Sequence, residues 1–179
     1  KAVGKTATAS QRALTVRRLD RAPVREVAAV DADLALAGQS PVLLDEWQRL
    51  PAVWDAVKAA VDADGSPGRF LLTGSAASGT HSGAGRIKAV RMRPLTLPER
   101  GVAASTVSLQ EMLGGQRPQV DGESDLNLGD HVDLILGSGF PAFQHLSGRG
   151  LRAQLDGYLD RIVDVDHEEA GLRVRRPAT

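Results

Sequence analysis

The sequence predicts an α/β fold, a parallel sheet flanked by helices, followed by a mostly helical C-terminal appendage. Three observations carry that expectation. Gly4-Lys5-Thr6 heads an alanine- and threonine-rich stretch of helical character. Val42-Leu43-Leu44 is a short apolar run that ends in two adjacent carboxylates, Asp45 and Glu46. Phe70-Leu71-Leu72 is a second such run and ends in Thr73-Gly74-Ser75. A strand buried on both faces of a parallel sheet reads as an unbroken apolar run instead of an alternation. Helical segments between such runs are what strand–helix–strand connections require.

The elements follow in order. Ala7, Thr8, Ala9 and Ala13 predict a helix after the triplet, and Leu14 to Asp20, of mixed polarity, predicts a strand near the sheet edge. Val24, Val27, Ala28, Leu34 and Ala35 recur at helical spacing and predict one helix from Pro23 to Ala37, with Gly38 as its stop. Pro51 to Asp64 is the clearest helix: Val53, Trp54, Val57, Ala60 and Val61 share a face, Pro51 suits a first turn and Gly65 follows the end. Trp54 is therefore a core residue, whereas Trp47 packs under the carboxylates or forms a wall beside them. The strand at Phe70 is expected beside the Asp-Glu strand. Ala76 to Gly85 is a Gly/Ser/Ala-rich loop, and Val90 to Leu95 is expected to be the last strand, with Arg91 and Arg93 on one face. The core is assigned to residues 1–100 and the appendage to 101–179. In the appendage, Ser105 to Leu113 and Asp130 to Leu136 read as helices. Gly114 to Asn127 is a polar connection, and Gly137-Ser138-Gly139-Phe140-Pro141 is a sharp interruption. Leu151, Leu155, Tyr158, Leu159, Ile162 and Val163 mark an amphipathic helix, and Arg173 to Thr179 is a basic tail.

Lys1-Ala2-Val3-Gly4-Lys5-Thr6 is the back half of G-x-x-x-x-G-K-[ST], whose first glycine would stand two places before Lys1. The expectation is a P-loop NTPase core with its first strand missing, in a chain truncated at its start. Such a loop works because phosphates need a dense array of donors: glycine lets the backbone approach, and successive N–H groups point into one concavity. Val3, Gly4, Lys5, Thr6 and Ala7 are the nucleotide-binding candidates. Lys5 would reach the β- and γ-phosphates, and the Thr6 hydroxyl would ligate Mg²⁺. The triplet alone recurs by chance; a strand ending in Asp-Glu at the carboxyl edge of the sheet, where ligands bind in open α/β folds, supports it. Asp45 would hold Mg²⁺, and Glu46, turned the other way, would polarise the attacking water. Thr73 and Ser75 either face the γ-phosphate or simply close a turn. Arg86 is either an arginine finger or a solvated residue after the loop.

Composition narrows the classes. Lysine plus arginine total 22 and aspartate plus glutamate total 22, a balance that advertises no general nucleic-acid surface. There are no cysteines, which excludes disulfides and thiolate metal sites and fits a reducing cytoplasm. The four histidines, His81, His131, His145 and His167, lack close metal-ligand spacing. No apolar stretch approaches the length needed to span a membrane.

Taken together, Gly4-Lys5-Thr6, Leu43-Leu44-Asp45-Glu46-Trp47-Gln48, Leu72-Thr73-Gly74-Ser75, His81-Ser82-Gly83-Ala84-Gly85-Arg86-Ile87, Arg91-Met92-Arg93-Pro94 and Tyr158-Leu159-Asp160-Arg161-Ile162-Val163 resemble the prokaryotic AAA-like ATPases that carry a C-terminal domain of unknown function. The resemblance implies an AAA-type core followed by a helical region. ATP and Mg²⁺ would be the cofactors, Lys5 and Thr6 phosphate and Mg²⁺ ligands, Asp45 and Glu46 a Walker B pair, and Arg86 the finger. A homo-oligomer is one option for the chain, and a partner, DNA through a C-terminal domain beyond this chain or a protein, belongs to the switch alternative below. The activity expected is Mg²⁺-dependent ATP hydrolysis; the alternative is a nucleotide-gated switch with little or no turnover. Without its first strand, the core is expected to carry an unpaired strand edge and an incomplete phosphate cradle.

Overall fold

The computed structural model describes residues 2–75 and 85–166, the last two by backbone alone. The glycine-rich loop expected from Ala76 and the basic tail lie outside the described residues. The chain divides into two compact units, one spanning Val3–Met92 and the other beginning at Arg93.

The first unit holds α1 (Lys5–Ser10), β1 (Thr15–Arg18), α2 (Ala22–Val30), α3 (Ala32–Leu36), β2 (Val42–Asp45), a 3₁₀ turn (Trp47–Arg49), α4 (Ala52–Ala63) and β3 (Phe70–Thr73). The strands form a parallel sheet in the order β1-β2-β3. In register, Thr15, Val42 and Phe70 lie level at one end, and Arg18, Asp45 and Thr73 at the other. All four residues of β2 are buried, as its continuous apolar run predicts for a central parallel strand. Along β1, half-buried and exposed residues alternate, as expected at an edge.

Successive side chains of β2 point to opposite faces. Val42 and Leu44 join Leu19, Val53, Trp54 and Val57 in one core, while α1 lies against β2 and β3. Fully burying a Val or Leu side chain contributes about 1.5–3 kcal/mol, so the central strand and the inner face of α4 anchor the unit. Helix α4 keeps the predicted face and closes with Asp64, whose N–H donates to the Ala60 carbonyl. Trp54 is core, and Trp47 packs against it with ring centroids 4.7 Å apart.

Three expectations are corrected. The helix expected from Pro23 to Ala37 is two helices, because Asp31 is extended (φ −149°, ψ 108°) and its carboxylate accepts from the Asp33 N–H at 2.9 Å, capping α3 in place of continuing α2. Helix α1 stops at Ser10, short of Ala13, where the Arg12 N–H turns back to the Ala9 carbonyl and the chain becomes extended for β1. Val90 to Leu95 forms no strand. Pro94 has no N–H to give a ladder, and the Leu95 N–H donates instead to the Gly139 carbonyl at 2.7 Å.

Gly38 ends this helical region at φ +134°, and a Cβ there would stand 2.5 Å from Thr15 Oγ1. Gly38→Ala therefore combines backbone strain with a clash against the first residue of β1. We expect a loss of about 1–3 kcal/mol, read as a lower urea midpoint at unchanged m-value.

The second unit contains α5 (Leu109–Leu113), α6 (Leu128–Leu136), a 3₁₀ turn (Pro141–Phe143), α7 (Gly148–Arg161) and a π-helical turn (Ile162–Asp166). Ser108 caps α5, and Asn127 with Asp130 forms a capping box on α6. Phe140, Phe143 and Tyr158 cluster, with the Phe140 and Tyr158 centroids 4.8 Å apart. Arg100 donates to Gln144 Oε1 at 2.8 Å and to the Leu134 carbonyl at 3.2 Å, tying the interruption after α6 into the unit.

Candidate functional site

The site is built where the three strands end level. Asp45 closes β2 and is 2% exposed, held below the surface by its neighbours. Its Oδ1 accepts two hydroxyl hydrogen bonds, from Thr6 Oγ1 at 2.7 Å and from Thr73 Oγ1 at 2.5 Å. Thr6 comes from the second residue of α1 and Thr73 from the last of β3, so residues 39 and 28 positions away in sequence meet on one oxygen. The other carboxylate oxygen, Oδ2, lies 3.9 Å from Arg18 Nε at the end of β1, and Arg18 Nη2 also stands 3.5 Å from Asp20. A buried carboxylate is stable when hydrogen bonds and a cation share its charge, and this one has both.

Gly4 adopts φ 86°, ψ 15° at the start of α1, a left-handed conformation that glycine reaches without a Cβ penalty. Lys5 is half-buried at the first position of that helix, two residues after half-buried Val3, and Ala7, two residues further on, is exposed. Glu46 follows Asp45 and is itself left-handed, φ 56°, ψ 43°. A non-glycine residue in that region is sparsely populated and clusters at functional positions. The Glu46 carboxylate accepts from Gln48 Nε2 at 2.5 Å. Past Thr73 the chain turns at Gly74, where a Cβ would stand 2.4 Å from Gln48 Oε1 and 3.0 Å from Trp47 Nε1, so the β3 turn lies directly on the Trp47–Gln48 segment.

Of the predicted residues, Thr6, Asp45 and Thr73 are brought together, with Glu46 one peptide unit away. Ser75 is exposed beyond the turn. Arg86 is held by Asp62 of α4, Nε to Oδ1 at 2.5 Å. Hydrogen bonding to Arg86, aided by its charge, keeps the Asp62 carboxyl below the ordinary aspartate range. That link is therefore intact at neutral pH and is lost only as acid takes the pH down through the lowered value.

Two residues were missed in the sequence, Arg18 and Gln48. Arg18 could have been found from the parallel register, which sets the last residue of β1 level with Asp45. Gln48 stands two places after Glu46, on the turn that brings its amide back. Among the described residues no group of three or more His, Cys, Asp or Glu is close enough to form a metal cage. A hydroxyl and a single carboxylate on neighbouring elements suit a hard cation that takes one or two protein oxygens and completes its shell from phosphates and water, as Mg²⁺ does.

A family model described as an AAA domain matches residues 1–100. The chain belongs to that family of AAA-like P-loop ATPases, and its core is an AAA-like nucleotide-binding domain of α/β architecture. An uncharacterized protein of Mycobacterium tuberculosis and one of Mycobacterium bovis are each 28% identical to it over 158 residues, 85% of this chain. The chain spans 30% of the length of either relative. No solved structure matches. Among the described residues no helix is long and apolar enough to cross a membrane.

Proposed function

We propose that the chain binds ATP with Mg²⁺ and that the protein containing it hydrolyses ATP. The observation that carries this reading is the meeting of the Thr6 and Thr73 hydroxyls on the buried Asp45 carboxylate. In a phosphate-binding loop the hydroxyl after the lysine and the carboxylate at the end of a neighbouring strand share one cation, and here they are already within 2.7 Å. Mg²⁺, when bound, supplies positive charge to the β- and γ-phosphate oxygens. Thr6 and Asp45 would hold it, Lys5 would neutralise phosphate charge, and the backbone of Val3, Gly4 and Ala7 would line the cradle. Glu46 would take the proton of the attacking water, and Thr73 and Ser75 would register the γ-phosphate. The remainder of the proposal is a division into a core at 1–100 and a helical appendage at 101–179, a cytoplasmic setting, a homo-oligomer in which Arg86 reaches a nucleotide, and a DNA or protein partner.

One observation favours a second reading, a nucleotide-gated switch with little turnover: Arg86, the finger candidate, is held by Asp62. Equilibrium binding of labelled ATP with and without Mg²⁺, followed by phosphate release, separates the two. Saturable Mg²⁺-dependent binding with many turnovers supports the ATPase, and binding with negligible release supports the switch. No binding by the intact protein would end both.

A further inference from the structure

The geometry points to Gln48 as a positioning residue that holds the Glu46 carboxylate at the site and ties it to the turn after β3. This rests on the reading of Glu46 as the base for ATP hydrolysis. A carboxylate only accepts, so the 2.5 Å contact fixes the amide: Nε2 donates to Glu46 Oε2, and Oε1 points away. One Glu46 oxygen is thereby restrained, and the other is left for a water proton.

Gln48 Oε1 is buried and has no hydrogen-bond partner among the described residues. It lies instead against Gly74, at the turn that follows Thr73. An interior carbonyl oxygen without a partner lowers stability. A side chain retained for packing alone would be apolar here, and methionine has the same reach with no polar atom to strand. The glutamine makes sense through what its other end does. Because Oε1 rests on Gly74 while Nε2 grips Glu46, a shift of the β3 turn is transmitted to the carboxylate through one rigid amide.

The test measures ATP binding, ATP turnover and the urea midpoint of the intact protein for wild type, Gln48→Met, Glu46→Gln and the double variant. Gln48→Met should be at least as resistant to urea as wild type and bind ATP within about twofold, yet turn over roughly tenfold more slowly. The double variant should be no slower than Glu46→Gln, since Gln48 acts through Glu46. Without nucleotide, a Gln48 side-chain amide proton resonance should lie downfield in wild type and move upfield in Glu46→Ala. Should Gln48→Met fail to fold, Gln48→Asn, which keeps the amide but shortens its reach, carries the same expectations for turnover and binding. Wild-type turnover in the Gln48 variant, or a double variant slowed further by the full single-variant factor, overturns the positioning role alone. Wild-type turnover in Glu46→Gln removes the base, and this inference with it.

Discussion

Glu46→Gln is expected to leave ATP bound and to stop most of its turnover. The substitution keeps the size of the side chain and its ability to accept from Gln48, through the amide oxygen, but removes the carboxylate proposed to take a proton from water. General-base catalysis contributes about 10²–10⁴-fold, or roughly 3–5 kcal/mol of barrier. Phosphate release should fall by that factor, while the dissociation constant for Mg²⁺-ATP stays within about threefold, because ground-state contacts are untouched. Parallel losses of binding and turnover would mean that Glu46 acts on affinity and that the base lies elsewhere.

The second large effect belongs to Asp45, and two substitutions separate its two duties. Asp45→Asn keeps an oxygen for the Thr6 and Thr73 hydroxyls but removes the charge proposed to hold a cation, so turnover should fall by roughly 10³-fold with little change in the urea midpoint. Asp45→Leu strands both hydroxyls and leaves Arg18 facing an apolar group. The hydroxyls are half-buried and recover part of the loss from water, so about 1–3 kcal/mol of stability should disappear as well. Equal destabilisation by Asn and Leu would show that the charge itself, balanced by Arg18, holds the three strand ends together.

Much of this arrangement was legible because a central parallel strand leaves a strong signal. Val42-Leu43-Leu44 announced burial on both faces, and the polar residues after it had to emerge at the carboxyl edge. Phe70-Leu71-Leu72 marked a strand beside it, half-buried throughout where β2 is buried, and that pairing sets Thr73 level with Asp45. Helix α4 was clear from one apolar face. What failed depended on local competition that periodicity does not register. Asp31 reads as an ordinary polar position on a helix, yet its carboxylate captures a backbone N–H and splits the segment. Arg91 and Arg93 alternate as strand residues do, but alternation supplies no neighbour, and among the described residues the sheet stops at β3. At the site, residue types and spacing revealed the carboxylates and the hydroxyls. The contacts of Gln48 and Arg18 escaped because they depend on where a side chain turns back, which the φ of Glu46 and the register of β1 decide.

That register ties recognition to folding. Side-chain direction in a strand alternates, so sliding β2 by one residue against its neighbours would turn Leu44 out of the core and Asp45 away from Thr6 and Thr73 in the same movement. A one-residue slip therefore loses the hydroxyl–carboxylate cluster and the apolar layer together. The apolar layer and the cluster thus read one register, and a chain in which Asp45 meets both hydroxyls has β2 threaded in that register.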